Sequence, residues 1–260
     1  MNTSDRKKGK IILAIAFVII ASILVAAFLQ SRITPPDKIN GCLKDVSEKT
    51  VVLIDYSEKV TQQTKKEIVE RARELIESEE RVPVGSLVSV FTMSYQSREN
   101  LVPIFSHCKP KFYANPIIEM EKIIAGKYKD SFGDPLSEAL NHAIPESNES
   151  PIAQAIIDLS LSNYLREAKK ANLMIFSDMI ENTREYSMYK IHADDQCIRE
   201  YKVSREGRQE VPHFQNVAVE IGLIPRSGFN GAQLKCRDKF WNWFFRDNNG
   251  GSLNPVDLPG

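Results

Sequence analysis

The chain has 260 residues, with 34 Lys and Arg balanced by 34 Asp and Glu, so its formal net charge is zero. That length leaves room for one α/β domain of ordinary size and not for a second full one. Since a neutral chain has no net positive field to attract phosphates, the charge balance argues against a nucleic-acid partner.

The N-terminal segment is basic and then apolar. Residues 11–29 carry no charge and a single hydroxyl, Ser22, and nineteen such residues are about the length of a transmembrane helix. Four basic residues precede the segment and two follow it closely, so the N-terminus is predicted to be cytoplasmic: Arg6, Lys7, Lys8 and Lys10 against Arg32 and Lys38. A cleaved secretory signal is the alternative, but the run is long for one and shows no clear small-x-small cleavage site. We therefore expect a single-pass inner-membrane protein whose main domain is periplasmic.

The four cysteines fit a translocated domain. Cys42, Cys108, Cys197 and Cys236 are widely separated and show no CxxC or Cys/His spacing, which argues against a zinc site. In an oxidising compartment two disulfides are expected, with three possible connectivities. We favour Cys42–Cys108 and Cys197–Cys236, because each pair flanks neighbouring elements of the predicted fold, while four buried free thiols are the alternative.

Apolar runs alternate with amphipathic helices along the rest of the chain. Predicted strands cover 50–55, 86–94, 101–105, 172–177 and 216–224, and predicted helices cover 61–79, 151–169 and 231–245. The second and third strands are joined by a short polar loop, which predicts one antiparallel edge strand. The order predicts an α/β fold with a doubly wound, mostly parallel sheet, preceded by one transmembrane helix.

The same patterns predict the domain boundaries. We expect a cytoplasmic basic N-terminus at 1–10, a transmembrane helix at 11–29, a periplasmic linker at 30–47, the α/β domain at 48–246 and a flexible tail at 247–260. The tail is rich in Asn, Gly and Pro, which is typical of a terminus without packing partners.

Two of the predicted buried strands end in a carboxylate. Asp55 closes the first and Asp178 closes the fourth, Ser57 follows Asp55 by two residues, and Ser150 precedes a predicted helix as a plausible N-cap. In an open parallel sheet, ligands bind at the carboxyl ends of strands near the point where the strand order reverses. We therefore expect these side chains to lie near one another.

At these positions the chain resembles the von Willebrand factor A (vWA) family. That family has a metal-ion-dependent adhesion site built from Asp-x-Ser-x-Ser, a Thr at a helix start and a later strand-end Asp. The matching segments are Val51 to Ser57, Ser150 to Ile156, with Ser for Thr, and Met174 to Asp178, and the resemblance covers about 48–246. Phe176 to Asn182 is also similar to a bacterial membrane-anchored subgroup of the family.

The resemblance implies a metal site. Ser57 and Ser150 would supply hydroxyl oxygens and Asp55 and Asp178 negative charge to Mg²⁺ or Mn²⁺, with a carboxylate from a bound protein in the open position. Lys59 departs from the pattern, because it stands where the family has its second Ser. Its ammonium either neutralises the two carboxylates and replaces the metal, or points outward while water fills the gap.

The implied function is a protein-binding module within an envelope assembly or surveillance system. No Ser-His-Asp arrangement, nucleophile elbow, P-loop or HExxH motif occurs, so we expect no enzyme activity and no small-molecule substrate. Two alternatives stay open: a metal-free structural domain of the periplasm and a metal-dependent hydrolase.

Overall fold

The computed structural model describes residues 3–31, 36–57, 60–93, 101–113, 120–142, 147, 149–193, 195–225, 228–246 and 253–258. They belong to two compact units, Met1–Asp37 and Lys38–Gly260. The second unit is wider than the domain predicted at 48–246, because residues assigned to a linker and a tail are part of it.

The first unit contains helix α1, Thr3–Ser31. Within the part of the chain that the structure describes, no helix combines the length and the apolar character that crossing a membrane requires. This finding contradicts the predicted single-pass inner-membrane location with a periplasmic main domain, and it gives no support to the transmembrane helix predicted at 11–29 or to the membrane as a partner.

The second unit is built around a six-stranded sheet. The strands are β1 Glu48–Asp55, β2 Leu87–Met93, β3 Phe105–Cys108, β4 Lys170–Ser177, β5 Val217–Leu223 and β6 Leu253–Asp257. Their order is β3-β2-β1-β4-β5-β6, and only the β2–β3 pair is antiparallel. The predicted doubly wound sheet with one antiparallel edge is confirmed. The strand order reverses between β1 and β4, which makes their carboxyl ends the switch point of the fold.

Helices cover both faces of this sheet. They are α2 Gln62–Glu77, α3 Glu121–Tyr128, α4 Asp134–Leu140, α5 Ile152–Leu161, α6 Cys197–Ser204 and α7 Gly231–Phe244. A π-helical turn, Lys129–Gly133, joins α3 to α4. Successive side chains of β1 point to opposite faces, so Val51 and Leu53 enter a core with α5, α6 and α7, while Val52 and Ile54 enter a core with α2 and α4.

Several elements differ from the prediction. Helix α5 ends at Leu161 rather than at 169, because the Ser162 hydroxyl bonds to the Leu159 carbonyl and the chain continues in turns. Strand β3 lies at 105–108 instead of 101–105, held by the disulfide at Cys108. Helix α6 was not predicted, and the predicted flexible tail is wrong for 253–257, which form β6 beside β5.

Both favoured disulfides are present. Cys42 is bonded to Cys108 and Cys197 to Cys236, with Cα atoms 5.0 and 5.5 Å apart. The first bond ties the segment before β1 to the edge strand β3. The second ties α6 to α7.

Candidate functional site

The four predicted site residues lie together at the switch point. Asp55 ends β1, Ser57 lies in the turn that follows, Ser150 precedes α5 and Asp178 follows β4. Ser57, Ser150 and Asp178 line one pocket of about 280 Å³. Asp55 lies beneath it with 3% of its surface exposed.

Asp55 accepts hydrogen bonds on both carboxylate oxygens. Its Oδ1 accepts from the backbone N–H of Ser57 at 3.0 Å, which folds the chain into a tight turn after β1. Its Oδ2 accepts from the hydroxyls of Ser150 at 2.8 Å and Ser177 at 2.9 Å. One carboxylate therefore connects the β1 loop, the segment before α5 and the end of β4.

Ser150 is positioned by the backbone and not by a helix cap. Its N–H donates to the Asn182 carbonyl at 2.7 Å, and the Asn182 N–H donates back to the Ser150 carbonyl at 3.1 Å. Helix α5 begins at Ile152 and has no side-chain cap, so the predicted N-cap role of Ser150 is wrong. Its hydroxyl is directed instead to Asp55 in the site.

Asp178 shapes the loop that follows β4. Its Oδ1 accepts from the Ile180 N–H at 2.9 Å, and the Ser177 hydroxyl accepts from the Met179 N–H at 2.8 Å. Met179 adopts a left-handed backbone with φ of 60°, an uncommon conformation for a residue with a long side chain. The indole N–H of Trp241 on α7 donates to the Met179 carbonyl at 2.7 Å and holds this loop against the core that α5, α6 and α7 form.

Glu181 is a buried carboxyl beside the site that the sequence did not single out. Its Oε2 accepts from the Ala153 N–H at 2.8 Å, at the start of α5, where the helix dipole favours negative charge. Burial raises the pKa of Glu181 to about 8, and the negative charge of Asp55 adds to the rise, while the Ala153 hydrogen bond and the Arg205 cation oppose it. At neutral pH its carboxyl is therefore mostly protonated.

The rim of the pocket is polar. Ser147, Glu149, Asn182 and Tyr189 complete its described lining, together with Ile180. Arg184 pairs with Glu149, with Nε 3.0 Å from Oε1, and its side chain is 72% exposed above the rim. A partner docking here would meet a cation next to the acidic and hydroxyl floor.

The donor set suits a hard divalent cation. Ser150 donates its proton to Asp55, which leaves the oxygen lone pairs of its hydroxyl available, and Ser57 and Asp178 add further oxygens around the same pocket. No group of three or more His, Cys, Asp or Glu side chains that could hold a metal occurs among the described residues. Binding would therefore depend on hydroxyls as well as carboxylates. Lys59 lies outside the described residues, so both alternatives for it stay open.

Two residues at the candidate site, Ser177 and Glu181, were not predicted from the sequence. The parallel register pairs Ile54 with Phe176, so the next step along both strands places Ser177 beside Asp55. Aligning the two apolar runs by their ends would have found this neighbour. Glu181 directly follows the apolar pair Met179 and Ile180. Because burying a charge costs free energy, a carboxyl in such a position indicates a candidate functional residue.

No family model matches this chain, and no curated protein matches it. Similar solved structures include proximal thread matrix protein 1 from the mussel byssus, at 14% identity and a TM-score of 0.37, covering 82% of this chain and 43% of that chain. The same mussel protein with a zinc-occupied MIDAS motif matches at 13% identity and a TM-score of 0.38, covering 83% and 44%. An aerotolerance-related membrane protein from Bacteroides fragilis matches at 14% identity and a TM-score of 0.39, covering 81% and 91%. The matched region is less than half of the mussel protein's length.

Proposed function

We propose that the α/β domain is a protein-binding module that docks an acidic side chain of its partner at the site formed by Asp55, Ser57, Ser150 and Asp178. The observation that supports this most directly is the convergence of these four side chains, from three separate segments, at the switch point of the sheet. Ligands of open α/β sheets bind at this position.

The site favours binding over catalysis. Bound Mg²⁺ or Mn²⁺ would supply an open coordination position that a carboxylate can fill. The described lining residues offer hydroxyls, carboxylates and an amide, which suit a cation and a docked carboxylate, and include no imidazole or thiol. We therefore assign the pocket a docking role within a protein assembly, without a reaction of its own.

A metal-free structural domain is the second candidate, and one observation favours it. Both oxygens of Asp55 already accept hydrogen bonds from Ser57, Ser150 and Ser177, so the buried charge is stabilised without a cation. In that case the network would hold the β1 and β4 loops in place and nothing more.

Thermal unfolding separates the two candidates. Because a ligand that binds only the folded state stabilises it, Mg²⁺ or Mn²⁺ at 100 times its Kd is expected to add about 2.7 kcal/mol relative to EDTA. Ser57→Ala and Asp178→Asn should each abolish most of that gain, since each removes an oxygen ligand. Asp238→Asn on α7, whose carboxylate is 63% exposed, is the matched control and should keep the gain.

Docking is then measured with a capped peptide that contains a single Asp. We expect the peptide to bind the wild-type chain in the presence of Mn²⁺. Its affinity should fall at least tenfold in EDTA, because a charge-assisted contact is lost. The Asp178→Asn variant should also bind the peptide more weakly. If neither metal shifts the unfolding midpoint, the metal-dependent docking role is wrong.

A further inference from the structure

A second pocket lies on the other side of the Glu181 segment, between α5 and α6. Its volume is about 330 Å³, and the lining residues that matter here are Gln154, Glu181, Glu185, Arg205 and Arg208. We call it the Arg205 pocket. It shares no lining residue with the pocket above Asp55, so its chemistry can be considered independently of the proposed function.

Arg205 is the principal feature of this pocket. It directly follows α6 and is 8% exposed, although a guanidinium remains charged at any physiological pH. Its Nε and Nη2 donate to the Gln209 carbonyl at 3.0 and 2.6 Å, and its Nη1 donates to the Gln154 side-chain oxygen. These contacts fix the guanidinium on both sides.

The contacts leave donors for a ligand. A guanidinium has five N–H groups, and the three bonds above use three of them, so Nη1 and Nη2 each keep one. Among the described residues, no carboxylate lies within ion-pair distance of Arg205, although from further away the Arg205 cation opposes the rise in pKa that burial causes at Asp158 and Glu181. Because Arg205 lines the pocket, an anion can reach it there and form a direct ion pair that the described residues do not provide.

The charges around the pocket indicate what kind of anion fits. Arg208 contributes a second, exposed cation three residues further along, and Glu185 contributes one negative charge. Glu181 is mostly neutral at pH 7, because burial raises its pKa to about 8. The wall therefore carries a net charge of one positive unit, which complements a singly charged anion better than a doubly charged one.

We infer that the Arg205 pocket binds a carboxylate, held by the fixed guanidinium of Arg205 and the cation of Arg208. Arginine binds carboxylates through charge-assisted hydrogen bonds, and Nη1 and Nη2 each keep one N–H group for such a contact. A carboxylate of this kind can belong to a small free acid or to an acidic side chain of a bound protein.

The test uses the full chain at pH 7, freed of divalent cations by passage over a chelating resin, so that the divalent-cation site plays no part and no soluble chelator carboxylate competes with acetate. Acetate is titrated against chloride at constant ionic strength, with the unfolding midpoint and heat of binding as readouts. We expect saturable stabilisation by acetate, a loss of about tenfold in affinity for Arg208→Ala and for Arg205→Lys, and no change for Arg199→Ala. Arg199 is exposed on α6 and does not line the pocket, which makes it the matched control.

Three further arms complete the design. A capped Asp peptide that binds more tightly than acetate supports an acidic side chain as the source, and equal binding supports a small free acid. The inference is overturned if inorganic phosphate binds more tightly than acetate. It is also overturned if Arg208→Ala binds acetate as tightly as the wild-type chain does, and this result holds even if Arg205→Lys fails to fold. Acetate binding should persist in Asp178→Asn, so failure of the docking proposal leaves this result unaffected.

Discussion

Asp55 connects the parts of the site at the scale of single residues. Its donors come from three places: Ser57 in its own loop, Ser150 before α5 and Ser177 at the end of β4. Because these bonds point at one carboxylate, they fix the hydroxyl of Ser150 toward the pocket floor. The same bonds that stabilise the Asp55 carboxylate also orient the Ser150 hydroxyl, whose oxygen the proposed divalent cation would use.

Glu181 predicts a pH dependence of stability. Its pKa is about 8 in the folded chain and near 4.5 when unfolded, so the folded state holds an extra proton between these values. The stabilisation is complete below pH 4.5 and is lost as pH rises to 8, at up to about 1.4 kcal/mol per pH unit. The groups that act on this carboxyl are Asp55, Arg205 and the amides of Ile152 and Ala153.

Glu181→Gln imitates the protonated carboxyl and should remove this slope. Urea unfolding of the wild-type chain at pH 5, 6, 7 and 8 is expected to show stability falling over the range, while the variant stays nearly level. Glu206→Gln, an exposed change after α6, is the control and should keep the wild-type slope. A variant as steep as the wild type would show that other groups cause the dependence.

At the scale of elements, helix α7 is stabilised at its start by a reciprocal cap. The Asn230 side chain accepts from the Gln233 N–H at 2.9 Å, and the Gln233 side chain accepts from the Asn230 N–H at 2.9 Å. Gln233 also donates to the Tyr189 carbonyl, and Tyr189 lines the pocket above Asp55. The cap therefore supports the site as well as the helix.

Asn230→Ala should destabilise the chain by about 1 kcal/mol, because it leaves an N-terminal amide of α7 without its acceptor. Asn230→Ser keeps a capping oxygen and should recover most of the loss. Urea unfolding of the two variants measures the difference. Equal losses for Ala and Ser would mean that the capping bond does not contribute.

The strands near the site were predictable because burial dictates their composition. β1 and β4 are continuous apolar runs, since parallel strands between helical layers are covered on both faces. Helix α6 is harder to predict, because only Cys197 and Tyr201 are buried in its eight residues. β6 contains Pro255 and lies at the sheet edge, where proline is tolerated but the sequence resembles a loop.

The sequence predicted which residues form the candidate site, but it did not predict the hydrogen bonds between them. Asp55, Ser57, Ser150 and Asp178 follow from strand ends and a family pattern, and the topology brings such ends together. The direction of the Ser150 hydroxyl depends on a backbone bridge to Asn182, which no local pattern reveals. Arg205 was missed because it directly follows an unpredicted helix, and its contacts with Gln154 of α5 and the Gln209 carbonyl arise only in the folded chain.

At the scale of the whole molecule, the two disulfides connect distant parts of the second unit. The Cys42–Cys108 bond closes 66 residues and the Cys197–Cys236 bond closes 39. In the chain-entropy model both loops give about 4 kcal/mol of stabilisation, because the effect grows only with the logarithm of loop length. Loop closure alone therefore predicts nearly equal losses when either bond is removed.

Packing should separate the two bonds. Cys197 and Cys236 are fully buried against the hydroxyl of Tyr186, whose oxygen is 3.2 and 3.7 Å from their sulfurs. Replacing both with Ala opens a cavity in the larger core and adds a packing loss to the entropic one. We expect Cys197→Ala with Cys236→Ala to lower the free energy of unfolding by more than Cys42→Ala with Cys108→Ala, by about 1–3 kcal/mol. Urea unfolding of the two double variants tests this, and equal losses would mean that loop closure accounts for the whole effect.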